Sequence, residues 1–156
     1  MAPADPSRIA KLNADYARAI DDDRLEDWPT FFAASCLYTI TSADNYRQGL
    51  PAGLMYADSQ GMLQDRVAAL RKANIYERQT YRHLVGLPAI LGEKDSGTIA
   101  ETPFLVVRIM RDGHMDLFAT GRYLDTLVEE TGSLKFRARL VVCDSSRIDT
   151  LLAIPL

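Results

Sequence analysis

Residues 98–129 read TIAETPFLVVRIM, then RDG, then HMDLFATGRYLDTLVE. The first and third parts are rich in β-branched and aromatic residues, which favour β-strands. Asp112 and Gly113 lie between them, and an Asp-Gly pair between two apolar runs is typical of a tight β-hairpin. The stretch therefore predicts two long antiparallel strands. The residues predicted to pack across this hairpin are Phe104, Val106, Leu117 and Ala119.

A second turn extends the pattern into a meander. Glu130-Thr131-Gly132 is turn-like, and residues 133–145 form a third extended segment. Strands of this length exceed the usual five or six residues, so the sheet must twist and curl. Its concave face needs a cover, which helices can provide. We therefore expect an α+β fold of the cystatin-like cone type, in which N-terminal helices cover a strongly curved antiparallel sheet in one domain, 1–156.

The N-terminal part of the chain predicts three amphipathic helices. The first covers 7–21, and the second is a short helix after the acidic run 21–23 that Pro29 limits to a few turns. Asp58 or Ser59 is predicted to cap the start of the third. The residues predicted to face the core from these helices are Ile9, Leu12, Tyr16, Ala19, Ile20, Leu25, Trp28, Phe31, Phe32, Met62, Leu63, Val67 and Leu70.

Two further strands are predicted outside the meander. From Cys36 onward, side chains alternate between two sides at every second position, which indicates a first strand. A shorter strand at 81–87 is ended by Pro88. Residues 42–58 contain glycine and proline among polar residues and predict a long irregular excursion that holds at most a short strand or turn.

Charge and hydropathy exclude several classes of protein. The chain has 18 basic and 21 acidic residues and a formal charge of −3, whereas nucleic-acid binding needs a concentrated basic face. No apolar run approaches the roughly 20 residues of a membrane helix. The start of the sequence has neither a basic region nor an apolar region of a secretory signal. We expect a cytoplasmic protein that binds neither nucleic acid nor membrane.

The residues that most often hold metals are few and far apart. Cys36 and Cys143 each lie in an apolar, strand-like run, which favours buried reduced thiols over a disulfide. His83 and His114 have no carboxylate or second histidine at helical ligand spacing. Nucleotide-binding glycine motifs are also absent from the sequence. We therefore expect no metal or cofactor site in this chain.

A cone-shaped sheet can nevertheless enclose a polar pocket, so a stand-alone isomerase or dehydratase is one functional hypothesis. Such a site needs a tuned carboxylate or imidazole and hydroxyl donors near a developing enolate. For a histidine in such a position, a satisfied interior or interface role is the simpler interpretation. The candidates for an inward-facing site are Tyr38, Asp44, Tyr46, His83 and Arg122.

Six blocks of the sequence resemble a known family. In order they are YARAID (16–21), LEDWPTFF (25–32), CLYTI (36–40), YADSQGMLQDR (56–66), NIYERQTYRHLVGLP (74–88) and VCDSSRIDTLLAIPL (142–156). Together they cover nearly the whole chain, from about Leu12 to Leu156. They resemble the small, or beta, subunits of aromatic-ring-hydroxylating dioxygenases, which are Rieske non-heme iron enzymes.

This resemblance implies a supporting role. The chain would join a large (alpha) catalytic subunit and copies of itself in a three-fold hetero-hexamer, and would be inactive alone. The large subunit would hold the Rieske 2Fe-2S cluster and the mononuclear non-heme iron, while a separate reductase would deliver electrons from NAD(P)H. Within the family, the blocks most resemble the small subunit of terephthalate 1,2-dioxygenase. This resemblance implies that the complex cis-dihydroxylates an aromatic carboxylate with O2. Salicylate hydroxylase and anthranilate dioxygenase small subunits remain alternatives.

The family resemblance also suggests where this chain meets its partners. Aromatic and arginine side chains are enriched in protein interfaces. The segment before and within the short strand carries several of them. The candidate interface residues are Tyr76, Arg78, Tyr81, Arg82 and His83. An ordinary, partly solvated strand with its preceding loop is the alternative interpretation of this segment.

Overall fold

The computed structural model describes residues 4–50, 53–72, 78–145 and 154–156. The helices and strands follow the order expected from the sequence. The excursion at 42–58 holds a short helix and a short strand, and one further strand follows Pro88. In chain order they are α1 (Pro6–Asp21), a 3-10 helix (Leu25–Phe31), β1 (Phe32–Ser42), α2 (Ala43–Arg47), β2 (Met55–Ala57), α3 (Gln60–Lys72), β3 (Gln79–Val85), β4 (Ala89–Lys94), β5 (Gly97–Met110), β6 (Met115–Glu130) and β7 (Ser133–Cys143).

The described strands form one sheet. Its order is β2-β1-β7-β6-β5-β3, and β4 pairs with β5 beside β3. Every pairing is antiparallel except that of β1 with β7, which is parallel. A parallel pair needs a long crossover connection, and here the chain between β1 and β7 supplies the rest of the sheet. The α+β architecture is thus a helical N-terminal part and a large open sheet, as predicted.

Local signals explain where the N-terminal helices begin. The Asp5 side chain accepts hydrogen bonds from the backbone N–H groups of Ser7 (2.8 Å) and Arg8 (3.1 Å), and Pro6 occupies the first turn, where its missing N–H costs nothing. The second helix is a 3-10 helix, and it contains Pro29. In α3, Leu63 and Val67 are buried, but the predicted core residue Met62 is 41% exposed. That assignment was wrong, because α3 buries a narrower stripe than predicted.

The central hairpin forms where Asp112-Gly113 predicts it. The Met110 N–H donates to the His114 carbonyl at 2.8 Å, and Gly113 has φ 90°, which glycine adopts without strain. Val106 lies opposite Ala119 as predicted, but Leu117 lies opposite Val107 instead. The register shift between these pairs reverses the side-chain alternation of β6. Leu117 therefore points outward, which corrects the predicted packing.

The remaining differences are local. Strand β4 was not predicted, because all six of its residues are exposed and show no alternation. The short strand starts at Gln79 and ends at Val85, two residues from the predicted limits. No helix in the described ranges is long and apolar enough to cross a membrane.

Candidate functional site

The concave side of the sheet holds a charged pair at its centre. Arg139 of β7 is fully buried and donates two hydrogen bonds of 2.8 Å, from Nε and Nη2, to the equally buried carboxylate of Asp125 on β6. Its guanidinium also donates to the side-chain oxygen of Asn13 on α1. The pair thus ties the covering helix to the middle of the sheet.

Three aromatic rings enclose this guanidinium. The Arg139 Cζ atom lies 3.8 Å from the ring centroid of Tyr123, 3.9 Å from that of Phe136 and 4.5 Å from that of Tyr16. Ring faces attract cations most strongly where water is excluded. Burial, the largest single influence, would lower the pKa of Arg139, but the Asp125 carboxylate and the neighbouring tyrosines Tyr16 and Tyr123 together raise it, so the guanidinium stays charged.

The tyrosine hydroxyls beside this pair bind the chain's own last residue. Tyr16 and Tyr38 donate to the backbone oxygen of Leu156 at 2.7 and 2.8 Å, and the Leu156 N–H donates to the Tyr38 hydroxyl at 3.2 Å. Trp28 Nε1 donates to the Tyr16 hydroxyl at 3.2 Å. Leu156 is itself fully buried. Burial raises the pKa of both Tyr16 and Tyr38, so these hydroxyls act here as neutral hydrogen-bonding groups.

His83 and Asp21 form a second buried pair, between β3 and α1. The His83 Nδ1 atom lies 2.6 Å from Asp21 Oδ1, and the His83 backbone N–H donates to Oδ2 at 2.8 Å. A carboxylate that orients an imidazole is one element of acid–base catalysis. The Nε2 atom of His83, however, is buried and has no hydrogen-bond partner among the described residues. The contacts that exist therefore attach β3 to the end of α1.

The other candidates for an inward-facing enzyme site do not join this pair. Asp44 and Tyr46 lie on α2, whose described residues are not buried. Arg122 sits over the Tyr46 ring at 5.4 Å and binds Glu101 at 2.7 Å. Tyr38, by contrast, is in the core with Leu156. The structure thus brings Arg122 to Tyr46 but does not gather the proposed set Tyr38, Asp44, Tyr46, His83 and Arg122 into one site, because Tyr38 and His83 are buried on different strands.

A cavity of about 430 Å³ with a mixed polar and apolar lining lies where α1 and α3 end near β3. Asp21, Asp23 and Arg71 line it on one side. Arg71 is already engaged, since it donates to the Asp23 carboxylate at 2.9 and 3.0 Å and to both carboxylate oxygens of Glu26 at 2.9 Å. Arg71 lowers the pKa of Glu26. This arrangement fixes the loop after α1 against α3.

The alternation of β3 divides the candidate interface residues. Tyr81 and His83 face inward and are buried, whereas Arg82 faces outward and is exposed. Arg78 is also exposed, and Tyr76 lies outside the described residues. The interface role of Arg78 and Arg82 stays a prediction. The sequence could have separated these residues, because the same period-two alternation applies to any strand with one buried face.

The described residues do not bring metal ligands together. No group of three or more His, Cys, Asp or Glu side chains is placed there to hold a metal ion. Cys143 lies opposite Ser42 across β7 and β1, whereas Cys36 is six residues earlier on β1, or roughly 20 Å along a strand. Both thiols are free, and burial raises the pKa of Cys143 to about 11, which disfavours the thiolate that metals bind.

Comparison with known proteins places these features in a family. Residues 15–150 match the family described as ring hydroxylating beta subunit. The chain is 51% identical to the terephthalate 1,2-dioxygenase terminal oxygenase component subunit beta 2 of Comamonas sp, over 96% of this chain and 97% of the relative. It is 40% identical to the anthranilate 1,2-dioxygenase small subunit of Burkholderia cepacia, over 95% and 92%.

One solved structure shares the fold of this chain. It is a beta subunit assigned to an aromatic-ring-hydroxylating dioxygenase of Novosphingobium aromaticivorans DSM 12444. The two chains share 42% identity with a TM-score of 0.88, over 97% of this chain and 96% of the other. The chain belongs to the ring-hydroxylating beta subunit family and is a subunit of an aromatic-ring dioxygenase complex with an alpha subunit as its partner.

Proposed function

We propose that this chain is the architectural subunit of its dioxygenase and performs no chemistry itself. The observation that carries the proposal is the filled concave face of the sheet. Arg139, Asp125 and three aromatic rings occupy its centre, and Leu156 binds the hydroxyls of Tyr16 and Tyr38. The polar groups that could have lined a reaction site instead stabilise the fold. The isolated chain is therefore inactive.

The cofactors belong to the alpha subunit in this proposal. A Rieske cluster needs cysteine and histidine ligands close together, and the separation of Cys36 from Cys143 does not fit that need. The Rieske 2Fe-2S cluster and the mononuclear iron would lie in the alpha subunit and receive electrons from a separate reductase. Three alpha and three beta subunits would form a hexamer around a three-fold axis, in the cytoplasm.

The proposed substrate is terephthalate. Support comes from the 51% identity to the Comamonas subunit over almost the full length of both chains. The anthranilate dioxygenase relative, at 40% identity, makes anthranilate the alternative aromatic carboxylate, and salicylate is a further alternative that the sequence resemblance left open. The complex would add both atoms of O2 to the ring and form a cis-dihydrodiol with electrons from NAD(P)H.

Reconstitution tests this proposal directly. The chain is co-expressed with its alpha subunit and assayed with a reductase, NADH and either terephthalate, anthranilate or salicylate. We expect co-purification, substrate-dependent O2 uptake by the complex and none by the chain alone. Turnover by the isolated chain, or failure to bind any alpha subunit, would contradict the architectural role. Faster turnover of anthranilate or salicylate than of terephthalate would contradict only the substrate.

The His83–Asp21 pair supports a second candidate, a stand-alone acid–base enzyme. It is the one carboxylate–imidazole contact of the described residues whose atoms are at catalytic hydrogen-bonding distance. The variant His83→Gln separates the two functions, since an architectural role predicts an assembled complex with normal turnover. Loss of turnover in a complex of unchanged size would favour a role of this pair in catalysis by the complex, whereas an isomerase or dehydratase activity of the isolated chain that His83→Gln abolishes would favour the stand-alone enzyme.

A further inference from the structure

Residues 154–156 are held in the core in the way that a bound ligand is held. They belong to no helix or strand, yet all three are buried. The described backbone hydrogen bonds of Leu156 run to side chains of other elements, Tyr16 of α1 and Tyr38 of β1. Residues of helices and sheets instead pair their backbone groups with other backbone groups. The segment is therefore attached through contacts that a separate molecule could also make.

Two tyrosine hydroxyls converge on one oxygen atom of this segment. Tyr16 and Tyr38 donate to the backbone oxygen of Leu156 at 2.7 and 2.8 Å, and the Tyr38 hydroxyl accepts from the Leu156 N–H at 3.2 Å. One hydroxyl carries a donor and two acceptor lone pairs, so Tyr38 can make both contacts at once. Together the two side chains recognise the N–H and the carbonyl oxygen of a single amino-acid residue.

Aromatic rings hold these hydroxyls in place. Trp28 Nε1 donates to the Tyr16 hydroxyl at 3.2 Å, and the Trp28 ring lies 5.1 Å from the Tyr38 ring, edge to face. The Phe32 ring lies 6.3 Å from that of Tyr16 and 5.7 Å from that of Tyr38. All four rings are buried. Side chains fixed by packing and hydrogen bonds form preorganised sites, which bind at a lower cost in entropy.

Space and a further polar group lie next to the segment. Ile154 lines the cavity of about 430 Å³ at the ends of α1 and α3. The Tyr123 hydroxyl is buried and has no hydrogen-bond partner among the described residues, and its ring centroid lies 6.2 Å from that of Tyr16. A buried polar group without a partner costs free energy. A ligand with a second polar atom would satisfy this hydroxyl, so the surroundings suit an occupant larger than Leu156.

We propose that the space filled by residues 154–156 is a binding site for a small molecule that carries an acylated apolar amino-acid group. Tyr16 and Tyr38 bind the carbonyl oxygen of this ligand, the Tyr38 hydroxyl accepts from its N–H, and its apolar side chain takes the buried position of Leu156. The chain's own segment competes for the site, which opens only when the segment leaves. This inference goes beyond the proposed architectural function and does not depend on it.

A chain that stops after residue 153 tests the site, with N-acetyl-L-leucine amide as the probe. The unaltered chain contains the competing segment, so its apparent affinity is reduced to the fraction of molecules in which the site is open. We expect the shortened chain to bind the probe at least about tenfold more tightly by isothermal titration calorimetry. The control compound N-acetylglycine amide should bind at least about tenfold more weakly than the probe, since it buries no apolar side chain.

Trp28 reports whether the site is filled. It is the single tryptophan of the chain, it is fully buried, and it donates to the Tyr16 hydroxyl. Removal of the segment lets water reach this ring, so its fluorescence emission should move to longer wavelength. The probe should reverse this change, and N-acetylglycine amide should not. A probe that binds without any change in Trp28 emission binds elsewhere, which would overturn the proposed site.

Substitution of Tyr38 tests the contacts themselves. In the shortened chain, Tyr38→Phe removes one donated and one accepted hydrogen bond and should weaken probe binding by about tenfold. The matched control Tyr46→Phe makes the same change at an exposed tyrosine of α2 and should leave the affinity unchanged. Equal affinities of the two variants would refute recognition by the hydroxyls.

A full-length variant is used if circular dichroism shows that the shortened chain does not fold. Leu156→Gly removes only the apolar side chain, and we expect it to bind the probe at least about tenfold more tightly than the unaltered chain does. Failure of the probe to bind the folded variant, or equally tight binding by the unaltered chain, would exclude the site. Binding of the alpha subunit is measured separately, and its absence would contradict the proposed function but not this site.

Discussion

Removing the carboxylate of Asp125 should destabilise the fold more than any comparable change at the surface. Asp125→Asn keeps the shape of the side chain but leaves the fully buried guanidinium of Arg139 without its counter-charge. Breaking a buried ion pair by removal of one partner costs about 3–5 kcal/mol. The three rings around Arg139 still attract the cation. We therefore expect a loss near the lower end, about 3 kcal/mol in the free energy of unfolding.

Urea unfolding at a fixed protein concentration measures this loss, because self-association would otherwise alter the apparent stability. The companion variants are Arg139→Met and the double variant Asp125→Asn/Arg139→Met. The double variant should lose less than the two single losses added together, since the uncompensated charge is gone. Glu101→Gln is the control, because its partner Arg122 is partly exposed and such pairs contribute about 0–1 kcal/mol.

Two results would refute this account of the pair. One is a loss below about 1 kcal/mol for Asp125→Asn, the size expected of a surface pair. The other is additivity of the two single changes within about 0.5 kcal/mol, the behaviour of independent sites. Either result would mean that Arg139 is held by its aromatic neighbours and Asn13, and that the charge of Asp125 contributes little.

Three further predictions concern pH, iron and assembly. Burial raises the pKa of Cys143 from 9.0 to about 11 in the fold. The neutral thiol therefore contributes stability that is fully present below pH 9 and is lost as the pH rises toward 11. Urea unfolding of Cys143→Ala should show a shallower fall in the free energy of unfolding over this window than the unaltered chain. The purified chain should contain no stoichiometric iron by elemental analysis and no Rieske absorption, since Cys36 and Cys143 are too far apart to share a cluster; one iron per chain would contradict this. Arg78→Ala or Arg82→Ala should weaken hexamer formation in sedimentation experiments without changing the iron content of the alpha subunit, whereas lost turnover in an intact hexamer would indicate a catalytic segment.

Local chemistry explains which parts of the fold could be predicted. The Asp112-Gly113 turn and the period of residues 7–21 act over a few neighbouring residues, so the hairpin and α1 were predicted close to their observed limits. The burial of Cys36, Tyr38 and Ile40 on one side of β1 follows in the same way from strand alternation. The family resemblance, carried by blocks along the whole chain, predicted the subunit class.

Long-range packing explains what could not be predicted. The register shift in β6 turns Leu117 outward, although its sequence neighbourhood is apolar. Strand β4 forms only because the free edge of β5 accepts it, and its own residues carry no strand pattern. The contact of His83 with Asp21 spans 62 positions of sequence, and nothing local indicates it.

The sequence by itself determined the α+β class, the long meander, the amphipathic helices and the family, because these depend on periodicity, turn chemistry and residue blocks. Only the tertiary structure decided which charged residues of the sheet are buried in the core. Arg139 has an ordinary place in a strand pattern, yet it is buried, because Asp125 and Asn13 approach it from other elements and compensate its charge. Leu156 likewise fills the space between Tyr16 and Tyr38. Such burial is set by contacts between separate elements, 14 positions apart for Asp125 and Arg139 and 118 for Tyr38 and Leu156, and those contacts exist only in the folded chain.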